Sequence, residues 1–220
     1  MISVVTICFN EINNIRRRIE SVAMQNSDQF EYVICDGLSN DGTVDIIREY
    51  EKVFKNKRIP FVFSSEKDNG IYDAMNKAVQ KTKGDYILFI NAGDEIYDSE
   101  TIEECNNIIR ENPLFDVYYG NCVYIERGVE KGIICNHEGL LHNMTVCHPS
   151  CLVSRSRLLD HQFDISFKSS ADYENFVNLV INDAKYYHID RYLSYFYFWW
   201  SKYYKYKRFY RGENENLGVI

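Results

Sequence analysis

No stretch of this sequence stays apolar for the roughly 18 residues that a membrane-spanning helix requires. No Cys-x-x-Cys pair occurs among its seven cysteines, Cys8, Cys35, Cys105, Cys122, Cys135, Cys147 and Cys151. The one Cys-x-x-x-Cys, Cys147 with Cys151, has no second pair to complete a zinc site, and the set reads as reduced cytosolic thiols. Basic charge is short as well. The formal net charge is −7, so the basic footprint of a nucleic-acid binder is missing. No Gly-x-Gly-x-x-Gly follows the first strand-like run, and no Gly-x4-Gly-Lys-Ser/Thr occurs, which excludes the dinucleotide fingerprint and the P-loop. The opening MISVVTICF has neither a basic n-region nor a small-residue cleavage site. The expectation is a cytoplasmic protein.

What is present is an ordinary globular composition of 220 residues, 45% hydrophobic and 26% charged, long enough to bury roughly 70% of the unfolded chain's surface without staples. Strand-like and helix-like patterns alternate through the first 92 residues. Apolar, β-branched runs at 2–9, 30–35, 59–64 and 86–90 have the near-continuous hydrophobicity of strands covered on both faces. Between them lie Ile15, Ile19, Val22 and Ala23 at helical spacing, a Gly/Asn/Asp/Ser turn at 37–42 with a helix over 43–54, and a helix marked by Ile71, Met75 and Val79. This is the pattern of βαβ crossovers and a parallel sheet with helices on both faces. Beyond Asn91 the rhythm breaks. The spacing predicts a helix over 99–110, strand-like pieces at 117–125, 132–135 and 151–153, a helix over 171–181 and a strand at 185–189. The expected organisation is one α/β domain over 1–190, with a nucleotide-binding half (1–95) and a mixed acceptor-side half (96–190), followed by a C-terminal extension (191–220).

Ligands of open parallel sheets bind at the C-terminal ends of the strands. The polar residues there are Asn10 and Glu11, then Asp36, then Glu66 and Asp68, then Asn91 and Asp94. A rim so rich in carboxylates suits accepting the imino N–H of a base, accepting ribose hydroxyls, and holding a divalent cation against a diphosphate.

The blocks TICFNE (6–11), VICDGLSNDGT (33–43), SEKDNGIYDAMNKA (65–78) and GDYILFINAGD (84–94), in that order and spacing, resemble glycosyltransferase family 2 with its GT-A fold. A later ADYE (171–174) is similar to the family's acceptor-side motif. The resemblance implies an inverting transferase that moves a sugar from a nucleotide-diphosphate donor, UDP by default, to a hydroxyl of a glycan or lipid-linked acceptor. It implies that Asp36 accepts the base imino hydrogen, that Thr6, Asn10 and Glu11 line the nucleotide pocket, and that Asp68, Gly70 and Asn76 meet the nucleotide and pyrophosphate. NAGD stands where the family carries its DxD-type motif. Asp94 then holds Mn²⁺ or Mg²⁺, Asn91 takes a position usually acidic beside the ribose, and Gly93 replaces a further acid. Asp172 matches the general base, with Glu174 as an alternative, while a helix N-terminal Asp favoured by the dipole is the plain rival. His148, in CHPS, is either a second metal ligand or an acceptor contact.

The C-terminal extension is a different material. Residues 192–210 hold 12 of the 33 aromatics, and residues 191–211 hold six basic residues and no acid, leaving −13 on the remainder. Tyr and Trp favour headgroups and cations attract anionic lipid, so residues 192–211 are expected to contact the inner face of a membrane; packing on the core or a dimer contact is the rival. Two other functions stay open: a non-catalytic GT-A-like binding module, and a sugar nucleotidyltransferase, whose usual basic glycine-rich loop is absent from TICFNE.

Overall fold

The computed structural model describes residues 1–91 and 93–198. In chain order the elements are β1 (Ile2–Cys8), α1 (Ile15–Ala23), β2 (Phe30–Asp36), α2 (Thr43–Glu49), α3 (Glu51–Asn56), β3 (Phe61–Ser65), α4 (Ile71–Lys81), β4 (Tyr86–Phe89), β5 (Asp94–Ile96), α5 (Thr101–Glu111), β6 (Val117–Glu126), β7 (Val129–Ile133), β8 (Cys151–Ser154), α6 (Arg155–Asp160), α7 (Ala171–Ile181) and β9 (Tyr186–Phe198). Among the described residues the strands form one sheet in the order β3-β2-β1-β4-β8-β6-β9-β5, with β7 paired to β6. The first four are parallel. β8 inserts antiparallel between β4 and β6, and β9 runs parallel to β6 and antiparallel to β5.

Every residue of β1 and β2 is buried, which is why these strands read as unbroken apolar runs. Successive residues alternate between two cores: Val4 packs with Ile15, Ile19 and Phe54 under α1–α3 and α5, and Val5 packs with Met75, Ala78 and Phe176 under α4, α6 and α7. The polar residues inside this layer are partnered. Ser3 donates to the buried Glu31 at 2.6 Å, and Glu31 also accepts the Gly84 N–H at 3.0 Å. Gly84 is required there, because a Cβ would lie 2.7 Å from the Met1 carbonyl oxygen.

The alternating half follows the sequence closely, with one helix divided into α2 and α3 at Tyr50, whose ring is buried. The later half departs from it. The expected strand at 185–189 continues to Phe198, because its apolar and aromatic residues pair with β6 along their length and with β5 at the end. The boundary drawn after Asp190 therefore falls inside a strand. Tyr192 and Tyr195 pack on Tyr97, and Phe196 stacks on Tyr124, so residues 192–197 are part of the sheet and partly buried. The rest of that aromatic and basic stretch lies outside the described residues. No helix among the described residues is long and apolar enough to cross a membrane.

Phe54 is fully buried, stacked on Phe61 at 5.0 Å and tilted against Tyr32 at 5.1 Å. Phe54→Ala leaves a cavity far from the strand ends, and denaturant unfolding should register a loss of about 3–5 kcal/mol. A loss below about 1 kcal/mol would show that α3 is not part of the core.

Candidate active site

Parallel register brings Cys8, Asp36 and Ser65 into one row at the C-terminal rim. Asp36 is 2% exposed and its carboxylate is already occupied. It accepts the Ser39 N–H at 2.9 Å, the Ser39 hydroxyl, and the Ser65 hydroxyl at 2.6 Å. Ser39 Oγ in turn accepts the Asn10 N–H at 2.8 Å, and Asn10 Oδ1 accepts the Asn40 N–H at 3.0 Å. Asp36 thus anchors a relay joining the ends of β1 and β2. The half-buried acid of this corner is Asp68. Its Oδ1 accepts the Gly70 N–H at 2.9 Å, and its Oδ2 lies so close to Gly37 that a Cβ there would be 2.5 Å away. Gly70 itself, at φ 118°, caps α4. Phe9, unremarked in the sequence, borders the same spot with 59% of its surface exposed.

Two expected nucleotide residues face elsewhere. Thr6 is fully buried, bonded through Oγ1 to the Ile90 carbonyl at 2.7 Å and to the Tyr32 hydroxyl at 3.0 Å. It supports the end of β4 from beneath because its side chain points into the strand layer. Asn76 forms a two-point clip with the Phe163 backbone, donating at 2.8 Å and accepting at 2.9 Å. It joins α4 to the segment before α7, on the inward face of the helix.

The loop after β4 is built around Asp94. The Asn91 N–H donates to Asp94 Oδ2 at 3.0 Å, the Asp94 N–H donates to the Asn91 carbonyl at 3.0 Å, and Asn91 Oδ1 accepts the Ile7 N–H at 3.2 Å. Asn91 is therefore a backbone tie, 8% exposed. Gly93 sits at φ 84°, a left-handed conformation that disfavours the acid usual in such motifs. Asp94 is 5% exposed, and its Oδ1 has no hydrogen-bond partner among the described residues. Burial pushes its carboxyl up to about 8, against the opposing pull of the Arg18 charge and the Asn91 N–H. Arg18 is the residue the sequence conceals. It is 1% exposed, its Nε and Nη1 are unpartnered among the described residues, and its Nη2 lies 3.7 Å from Glu11 Oε2. Glu11 is half-buried and also accepts from Asn14 at 3.1 Å.

An orphaned, buried carboxylate oxygen fits one coordination position of a divalent cation. No three His, Cys, Asp or Glu side chains converge on a metal position among the described residues. The fit is thus to a site with Asp94 as its protein carboxylate and the remaining ligands drawn from a diphosphate and water. His148 does not join it. Its imidazole stacks on Phe89 at 5.3 Å and meets Phe163 and Phe176 edge-on, and burial lowers its pKa while the charge of Asp172 opposes that shift. His148 and Asp172 are therefore neighbours, with Tyr72 Oη at 3.4 Å from Asp172 Oδ1. Asp172 lies in the first turn of α7, and Glu174, on another face, bonds His161 at 3.0 Å. That contact removes Glu174 from the cluster.

A mostly parallel sheet with acids at one rim, continued by a mixed half that brings in a further carboxylate, is the GT-A architecture. The chain belongs to glycosyl transferase family 2, whose family model matches residues 3–158. It is similar to the "PGL/p-HBAD biosynthesis glycosyltransferase" of Mycobacterium bovis BCG, 26% identical over 167 residues covering 76% of this chain and 64% of that protein. Over 95 residues it is 35% identical to the "putative teichuronic acid biosynthesis glycosyltransferase TuaG" of Bacillus subtilis, covering 43% of this chain and 36% of that protein. Among solved structures, S. aureus TarS 1-349 in complex with UDP-GlcNAc superposes with a TM-score of 0.74 at 21% identity, covering 91% of this chain and 59% of that one. The mannosyltransferase PcManGT of Pyrobaculum calidifontis, in complex with GDP-Man and Mn²⁺, superposes at 0.68 with 13% identity, covering 90% and 56%. The chain spans less than two thirds of the length of each of these four proteins.

The raised pKa of Asp94 has a signed consequence for stability. An acid whose folded pKa exceeds its unfolded value destabilises the fold once it ionises, so stability is lost as pH rises from about 4 to about 8 and levels off above. In buffer free of divalent cations, Asp94→Asn should gain melting temperature relative to wild type across that interval. A difference that stays constant between pH 5 and 9 would contradict the assignment.

Proposed function

We propose that this protein transfers a sugar from a nucleoside-diphosphate donor to a hydroxyl group, with inversion at the anomeric carbon. The observation that carries the reading is a pair of carboxylates on two different elements: Asp94, buried with a free oxygen in β5, and Asp172, set beside His148 and Tyr72 at the start of α7. Family membership supports the transferase class. The donor's nucleotide lies over the β1–β3 rim, with Phe9 as a face for the base and Asp68, Gly70, Asn10 and Glu11 around it; Asp36 holds the loop beneath.

In the reaction Asp172 accepts the proton of the acceptor hydroxyl as its oxygen forms the new bond to the anomeric carbon. The bond from that carbon to the diphosphate oxygen breaks, and the diphosphate departs with the electron pair. Positioned proton transfer of this kind contributes about 10²–10⁴-fold. His148, held neutral by burial, is suited to donating or accepting a hydrogen bond to the acceptor without adding charge. Mn²⁺ or Mg²⁺, when bound at Asp94, would supply countercharge for the departing diphosphate.

UDP is the first donor to test, in keeping with the UDP-GlcNAc bound by TarS. The PGL/p-HBAD and teichuronic acid roles named for the relatives favour a glycan or lipid-linked acceptor of the cell surface, met at the inner face of the membrane.

Thermal stability should be measured against UDP, GDP, dTDP and CDP, with and without Mn²⁺, on the wild type and Asp94→Ala. A nucleotide at 100 times its Kd adds about 2.7 kcal/mol. One nucleotide should shift the wild type in a metal-dependent way and fail to shift the variant. Asp172→Asn should keep that shift while donor turnover falls by about 10²-fold or more. No shift with any nucleotide would favour a non-catalytic module, and undiminished turnover in Asp172→Asn would remove Asp172 from the chemistry.

A further inference from the structure

Tyr72 is bound to both halves of the molecule. It lies in the first turn of α4, two residues after Gly70 and four after Asp68, so its backbone belongs to the donor side. Its ring is buried, 8% exposed, and stacks on Phe163 with centroids 6.0 Å apart and planes at 26°. Its hydroxyl reaches the acceptor side, 3.4 Å from Asp172 Oδ1.

The surroundings of that hydroxyl define its direction. Ser170, the residue preceding α7, is in the left-handed region at φ 73° and gives the helix no side-chain cap. The backbone N–H groups of Ser170 and Ala171, which their own helix cannot satisfy, lie on the side of the tyrosine oxygen and oppose the rise of its pKa. The hydroxyl itself donates to Asp172 Oδ1. Burial, reinforced by the Asp172 charge, pushes the phenol up to about 12, so it remains a donor throughout the neutral range. The turn below it is fixed by an independent clip, in which the Asn69 N–H donates to Asp73 Oδ2 at 2.8 Å and Lys77 pairs with the same oxygen at 3.0 Å.

We infer that Tyr72 is a positioning residue for Asp172, holding Oδ1 from α4 so that Oδ2 is left to take the acceptor's proton. The inference rests on the reading of Asp172 as the base. It adds that alignment of this base is set by the helix following the donor loop Asp68–Gly70, so the orientation of the acceptor-side carboxylate depends on order on the donor side. The phenol makes no contact with reacting atoms in this scheme; it acts through Asp172.

The test is a double-mutant cycle of Tyr72→Phe and Asp172→Asn. It is read as UDP release from UDP-N-acetylglucosamine with Mn²⁺, with water or an octyl glycoside as acceptor. Tyr72→Phe keeps the ring stack and loses the hydroxyl, so kcat should fall roughly 10- to 100-fold while the donor KM stays within about twofold. The double variant should be no slower than Asp172→Asn alone, because residues acting through one another are not additive. Tyr86→Phe, which removes the buried hydroxyl bonded to the Phe115 carbonyl at 2.8 Å, serves as the control. It should lower the melting temperature without changing kcat. An unchanged kcat in Tyr72→Phe, or losses that multiply in the double variant, would overturn the inference and leave the base assignment standing. Full turnover in Asp172→Asn would overturn the base assignment itself.

Discussion

A buried guanidinium governs the strand-end rim that carries Asp94. Arg18 projects from α1 into the core, essentially closed to solvent, and its charge reaches Asp94, Glu11 and Glu95. A charge removed from water is costly unless opposite charges compensate it. The acids around Arg18 come from two pieces of chain: Glu11 beyond the end of β1, and Asp94 with Glu95 in β5. None of them pairs with it fully, and Asp94 still carries an unoccupied oxygen. The consequence is an electrostatic balance left incomplete among the described residues; under the proposed function a cation and a diphosphate would complete it.

The end that carries Asp172 is held by different physics. Phe163 lies at its centre: it is clipped by Asn76 through its backbone, stacked by Tyr72, and met edge-on by His148 and Phe89. These contacts are aromatic and neutral, and they fasten α4 to the segment leading into α7. Charge thus organises one side of the cleft and shape the other, which matches a site where a dianionic leaving group meets an uncharged hydroxyl.

The sequence makes the alternating half legible because its strands are buried on both faces and its helices show a single apolar stripe, and both patterns survive without knowledge of neighbours. The later half is less legible. The β6–β7 hairpin turns at Arg127-Gly128, both at positive φ, a two-residue turn without the usual Asn-Gly or Asp-Gly signal. β5 is three residues long and has meaning only beside β9. At the proposed site, Asp94 and Asp172 stand out because each sits in a short motif, NAGD and ADYE. The inward bonds of Thr6 and Asn76 are not legible: a polar residue in a motif can bond inward as easily as outward, and only packing decides. Arg18 hides in a run of three arginines that resembles a solvated face. Its helical phase with Ile15, Ile19 and Val22 is the signal that places it inside.

The antiparallel pairing of β5 with β9 also fixes when the site can exist. Asp94 faces Phe196 across that ladder, and the Tyr197 N–H bonds the Gly93 carbonyl at 2.8 Å. During synthesis strands β1–β4 leave the ribosome before β9 and can pair among themselves. The loop bearing Asp94 has no ladder partner until β9 arrives, and closing so long a span is slow relative to local pairing. The nascent chain can therefore pair β1–β4 before the position of Asp94 is fixed by β9, and under the proposed function that pairing would complete the place where a diphosphate sits.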